Sequence, residues 1–138
     1  MSTTAQSHAR GHAIMAIAGL LVAVATMLGA FGTHVLKPVL TPARFESFET
    51  AVHYQFFHSL GLVGIGLLLR ERSSALLNGS AWLILIGLAL FCGSIYALTF
   101  GAPKVFGMVA PFGGISLMAA WVCFALALWR TRFSPDRA

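Results

Sequence analysis

His58 follows Tyr54 by four residues and Gln55 by three, inside the segment ETAVHYQFFHSLGLVGIGLLL that runs from Glu49 to Leu69. Residues three or four apart share a helix face. An imidazole, a phenol and an amide therefore line one side of a helix whose remainder is an uninterrupted apolar run. Glu49 and His53 pair on a different face, about 100–140° away around the helix axis. His34, Ser94 and Tyr96 complete the residues whose types could do chemistry. Imidazole is a common ligand for zinc, copper, iron and haem, and a neighbouring phenol or amide can fix its tautomer. One reading is a metal, haem or quinone-headgroup site that uses His34 and His58 as candidate metal ligands. The other is a hydrogen-bond network among His58, Tyr54, Gln55, Ser94 and Tyr96 that holds helices in register.

The donor set decides between them only in direction. Two histidines with neutral companions make a thin ligand set, and neither a His-Glu-x-x-His motif nor a paired Cys/His spacing is present, so no cofactor is assigned. Nucleophilic catalysis has little support. Ser59 adjoins His58, but adjacent helix residues point to different faces, and Ser94 meets His58 only if their two helices place them together. No acid stands at that depth to orient the imidazole. The sequence favours a non-enzyme, without settling it.

The elements that must position these residues follow from composition. The 138 residues are 58% hydrophobic and only 9% charged, with mean hydropathy +0.84. Ordinary soluble domains carry roughly 25% charged residues, so lipid is the solvent that suits this chain. A bilayer core of ~30 Å needs about 20 apolar residues per helix. Four such stretches occur, near Ala13–Gly32, Thr50–Leu69, Ala81–Phe100 and Ala110–Trp129. Their apolar runs are continuous rather than alternating, which predicts helices rather than barrel strands. The fold class is all-α: an integral membrane bundle of four transmembrane helices spanning 13–129. It lies between a polar N-terminal tail at 1–12 and a basic C-terminal tail at 130–138. The first apolar run exceeds the 7–15 residues of a signal-peptide core, so it is read as an uncleaved span.

The net charge of +5 is spread between spans, with no stripe to track phosphates, and nucleic acid is not an expected partner. Arg10, Arg70, Arg72, Arg130, Arg132 and Arg137 fall on one side of the expected bundle, against Lys37, Arg44 and Lys104 on the other. The positive-inside rule then puts both termini in the cytoplasm, with Trp82 and Trp129 near that interface. Cys92 and Cys123 each lie alone within a span, at different depths. They read as small buried hydrophobes without redox or metal roles.

This topology gathers the unusual residues at the outer end: GAFGTH closing span 1, Glu49–His58 opening span 2, GSIY near the end of span 3, and APFGG opening span 4. His58 lies about 13 Å below Glu49 along the helix. Facing lipid there, its polar neighbours would lack partners, so the Tyr54/Gln55/His58 face is expected to turn inward. Small residues recur every fourth position, at Ala25, Gly29 and Thr33 on span 1 and at Ala89, Gly93, Ala97 and Gly101 on span 3. Such stripes allow close helix contact, within one bundle or between copies. Pro111 suits a first helical turn, and Gly113 and Gly114 permit close packing. The alternative is a broken helix dipping back at Val105–Pro111.

The motifs GAFGTH, ETAVHYQFFH, GSIY and PFGG resemble those of the YgdD-like family of small four-helix bacterial inner-membrane proteins, classed as a domain of unknown function. A related transmembrane protein occurs in animal mitochondria. The resemblance covers about Ala13 to Trp129 and falls on Gly29, Gly32, His34, Tyr54, Gln55, His58, Gly93, Ser94, Tyr96, Pro111, Gly113 and Gly114. His53 stands at a position that varies in the family, and Glu49 is sometimes Gln. The resemblance implies a multi-pass protein of the bacterial inner membrane and carries no activity with it. The function expected is that of a small membrane scaffold or accessory protein, acting in the bilayer with copies of itself or within a larger complex. The alternative is a ligand-binding or transport protein with its site near the outer leaflet.

Overall fold

The structure, a computed structural model, describes residues 3–132. Four helices form an antiparallel bundle: α1 (Thr3–Phe31), α2 (Pro42–Glu71), α3 (Ala75–Thr99) and α4 (Ala110–Arg132). Each belongs to a stretch long and apolar enough to cross a membrane, and no strand occurs among the described residues. α2 and α3 pack side by side at the centre, with α1 against α2 and α4 against α3. Arg137 and the rest of the expected C-terminal tail from residue 133 onward lie outside the described residues.

The helices outrun the apolar windows that announce them. α1 begins at Thr3 rather than Ala13, α2 at Pro42 rather than Thr50, and α3 at Ala75 rather than Ala81. Hydropathy registers only residues suited to hydrocarbon, whereas a helix continues until its backbone finds a cap. α2 starts where Pro42 occupies the first helical turn, although the Thr41 side chain makes no capping bond. α3 starts behind Ser74, whose Oγ accepts from the Leu77 amide at 3.3 Å. The connection between α2 and α3 is therefore only Arg72–Ser74. With 30 residues, α2 rises about 45 Å and projects beyond the hydrocarbon.

α1 closes in a π-helical turn, Gly32–Leu36, sealed by the Lys37 amide donating to the Gly32 carbonyl at 2.8 Å. The turn sits where the fully buried Phe48 ring presses on Gly32. A Cβ there would fall 2.7 Å from Phe48 Cε1. α3 ends in a Schellman motif: the Ala102 amide reaches the Ala97 carbonyl at 2.9 Å and the Gly101 amide reaches Leu98 at 3.2 Å. That closure needs Gly101 at φ +96°, a region side chains avoid. Lys104–Met108 forms one 3-10 turn with Val105, Phe106 and Met108 exposed, and α4 follows at Ala110.

The exterior is apolar and the interior finely packed. Leu20, Met27, Phe57, Trp82 and Met118 point outward, as lipid contact demands. Thr26 and Thr33, also exposed, donate back to the carbonyls of Val22 and Gly29 at 2.9 and 3.1 Å, so neither of these hydroxyls faces hydrocarbon unpaired. The core runs from Leu69 and Leu77 through Leu62, Ile84 and Leu117. Beyond Gln55 it passes to a second cluster of Leu36, Phe45, Phe48 and Val52.

Candidate functional site

Gln55 is the polar centre of the bundle. Its side chain is only 5% exposed, and both ends of the amide are engaged. Nε2 donates to the Leu21 carbonyl of α1 at 2.9 Å, and Oε1 accepts from Tyr96 Oη of α3 at 2.9 Å. One α2 side chain therefore ties three helices. The Tyr96 ring packs on Phe48 with centroids 5.5 Å apart, which fixes the hydroxyl toward the amide. One turn away, Cys92 Sγ donates to the Ala51 carbonyl at 3.2 Å.

His58 and Tyr54 take the other side of α2. The His58 Nδ1 lies 2.8 Å from the Tyr54 carbonyl. A carbonyl only accepts, so Nδ1 carries the proton and Nε2 of the neutral ring is left as an acceptor. The imidazole stacks on Tyr54 at 5.4 Å, Tyr54 stacks on Phe91 at 4.7 Å, and Trp121 of α4 stands 6.1 Å from His58. Trp121 reaches this place because Gly61 offers no side chain beneath its indole. Tyr54 is exposed and His58 half-buried, so they form an aromatic ledge along α2, α3 and α4.

The six candidate residues thus separate. Gln55 and Tyr96 meet, and Tyr54 and His58 meet, but Tyr54 and Gln55 point apart. Ser94 is buried and donates to its own helix at Phe91, 2.9 Å away. His34 stands exposed on the π-helical turn. Glu49 and His53 are both exposed, His53 beside the Phe57 ring. Among the described residues no group of three His, Cys, Asp or Glu side chains comes together to hold a metal ion.

The packing glycines separate as well. A Cβ on Gly113 would strike the Phe91 backbone, and one on Gly29 would make ordinary contact with Val52 at 3.6 Å. Gly93 and Gly114 face open space within the chain, so the outer α3 stripe is left uncovered there. Pro111 is exposed in the first turn of α4, where its missing N–H costs no internal bond.

Several ties were not legible from residue type. Ser80 Oγ donates to the Ala120 carbonyl and Ser116 Oγ to Leu83, both at 2.8 Å, joining α3 to α4 in both directions. Ser7 donates to Leu69 and joins α1 to α2. Arg44 Nη2 donates to the Leu98 carbonyl at 2.7 Å, closing the C-terminus of α3, where a cation also suits the helix dipole.

Comparison with known proteins supplies the lineage. Residues 28–114 match the family described as Protein of unknown function (DUF423). The chain is 33% identical over 115 residues to a UPF0382 membrane protein of Staphylococcus haemolyticus, covering 80% of this chain and 93% of the relative. It is 35% identical over 106 residues to a UPF0382 membrane protein of Haemophilus influenzae, covering 76% and 84%. It is 31% identical over 105 residues to the UPF0382 inner membrane protein YgdD of Escherichia coli, covering 76% and 80%. No solved structure matches. Four membrane-length helices and these relatives together place the chain in the DUF423 family, as a multi-pass protein of the bacterial inner membrane.

Proposed function

We propose that this protein is a small membrane scaffold or accessory protein, whose polar residues hold a four-helix frame for contact with copies of itself or with a larger complex. One observation carries the reading: both ends of the Gln55 amide are spent on Leu21 and Tyr96. Gln55, only 5% exposed, directs both ends of its amide to neighbouring helices, which is the work of a frame. The thiol of Cys92 and the hydroxyls of Ser80 and Ser116 are spent in the same way, on carbonyls of neighbouring helices.

A second reading keeps one specific support. The acceptor Nε2 of His58, on a ledge with Tyr54 and Trp121, suits a metal ion, a haem edge or the hydroxyl of a reduced quinone headgroup. The two readings separate on protein purified in native-lipid discs. Metal analysis, an absorption spectrum and mass spectrometry of extracted small molecules are run beside a folded His58→Ala variant. The scaffold reading expects no stoichiometric metal, haem or quinone in either sample. Such a group present in the parent and lost in the variant would replace it with the binding reading.

A further inference from the structure

A trough opens between α1 and α3, which the central pairing of α2 with α3 leaves apart. Its first part is a cavity of about 350 Å³ lined by Arg10, Ile14, Ile17, Asn78, Trp82 and Leu85, among others. The second part, about 340 Å³, shares Ile17 and Leu85 and continues past Leu21 and Leu88 to the uncovered Ala89 and Gly93. At the other end, Arg10 and Asn78 also line a polar basin of about 190 Å³ whose walls include Gln6, Ser7 and Ser73. Polar basin and apolar troughs therefore form one continuous amphipathic channel along the outside of the bundle.

We infer that this channel holds one anionic glycerophospholipid, with its phosphate at Arg10 in the polar basin and one acyl chain laid along the trough. Three observations favour that occupant. The first is charge: Arg10 stands at the junction of basin and trough. The Arg70 stem packs against Gly11 beside it, and Glu71 and Arg72 follow in sequence. Arginines at a membrane surface attract anionic lipids, each contributing about fivefold in affinity.

The second is length. From Arg10 the trough follows α1 past Leu21 to Leu28, about 27 Å of helix and more than half the ~30 Å hydrocarbon thickness, so an acyl chain anchored at Arg10 and reaching the bilayer midplane lies within it along its whole length. Trp82, exposed on the trough wall, sits at the headgroup end, where indole rings prefer to lie.

The third is section. A helix is about 10 Å across with its side chains, and one turned toward this face would ride on the rim and leave the trough unfilled. A single acyl chain fits within it. Gln55 lines the second part with both ends of its amide bonded within the bundle, to Leu21 and Tyr96.

The test uses the intact protein in discs of phosphatidylethanolamine and phosphatidylglycerol at a 3:1 ratio, released for native mass spectrometry. One phosphatidylglycerol should remain per chain, enriched over the disc ratio. Arg10→Gln should lower that enrichment about fivefold. Ala13→Phe, at an exposed position on the trough wall, should abolish retention by filling the trough, with helicity by circular dichroism unchanged. Retention of the two lipids in the disc ratio would overturn the inference. So would enrichment unaltered by both substitutions, or release as a dimer that carries no lipid.

Discussion

Tyr96 and Gln55 meet at 2.9 Å, phenol donating to amide oxygen, at the level where the main core gives way to the outer cluster around Phe48. The same amide donates to α1. The contact therefore sets the relative height of three helices that apolar packing alone would leave free to slide. Lipid offers little hydrophobic force between helices, so packing and such bonds must set register.

Removing either partner should show that coupling. Interhelical bonds in membranes average ~0.6 kcal/mol and reach ~1.7. Tyr96→Phe deletes one such bond, and Gln55→Leu deletes two. We expect losses of about 0.5–1 and about 1–2 kcal/mol respectively, measured by reversible unfolding in mixed micelles. In the double variant the losses should fall short of their sum by about 0.6 kcal/mol, because the shared bond can be lost only once. Strict additivity would show that the phenol and amide do not communicate.

What could be seen before the structure, and what could not, divides along physical lines. Four spans follow from hydropathy because the bilayer imposes a length on every crossing helix. The gathering of polar motifs at one end follows from antiparallel order alone. The rotation of each helix does not. Gln55 finds the carbonyl of Leu21, and a carbonyl carries no residue-specific mark in a sequence. Ser80 and Ser116 bond across to the neighbouring helix, whereas Thr26 and Thr33 bond back to their own. Nothing in a hydroxyl's identity separates the two habits. Their four- and three-residue spacings to His58 put Tyr54 and Gln55 on one face with it. Yet they are adjacent to each other, and the helix turns them toward different neighbours.

Gly113 and Gly114 make a paired test of close packing. A Cβ at Gly113 falls 2.8 Å from the Phe91 Cα, whereas Gly114 has no atom within reach. Backbone cannot yield as a flexible side chain can. Gly113→Ala should push α4 from α3 and lower stability by about 1–3 kcal/mol. Gly114→Ala should be neutral or slightly stabilising, since it removes only unfolded-chain freedom. Equal effects at the two positions would contradict the α3–α4 contact described above.

Gly101 tests the connection between α3 and α4. Its φ of +96° lets the Ala102 and Gly101 amides close on Ala97 and Leu98. Gly101→Ala forces an L side chain into the left-handed region at a cost of about 1–2 kcal/mol. The loss should appear in global unfolding and as faster hydrogen exchange at the last turn of α3. Arg44, which donates to Leu98 and Thr99, restrains that same turn. Arg44→Met should accelerate exchange there too, with a smaller stability loss because its bonds are exposed.

The serines joining α3 and α4 complete the contrast with the Gln55 centre. Ser80 donates to Ala120 and Ser116 to Leu83, each at 2.8 Å, with no partner in common. Each acceptor belongs to a helix that already uses that carbonyl, so Ser→Ala leaves no orphan group behind and nearly preserves volume. Each substitution should cost about 0.6 kcal/mol, and the pair should add within about 0.5 kcal/mol. Thermal unfolding of the two single variants and the double variant in one detergent checks this. A marked excess in the double variant would mean that the serines support a common packing arrangement of α3 on α4, with the hydrogen bonds secondary to it.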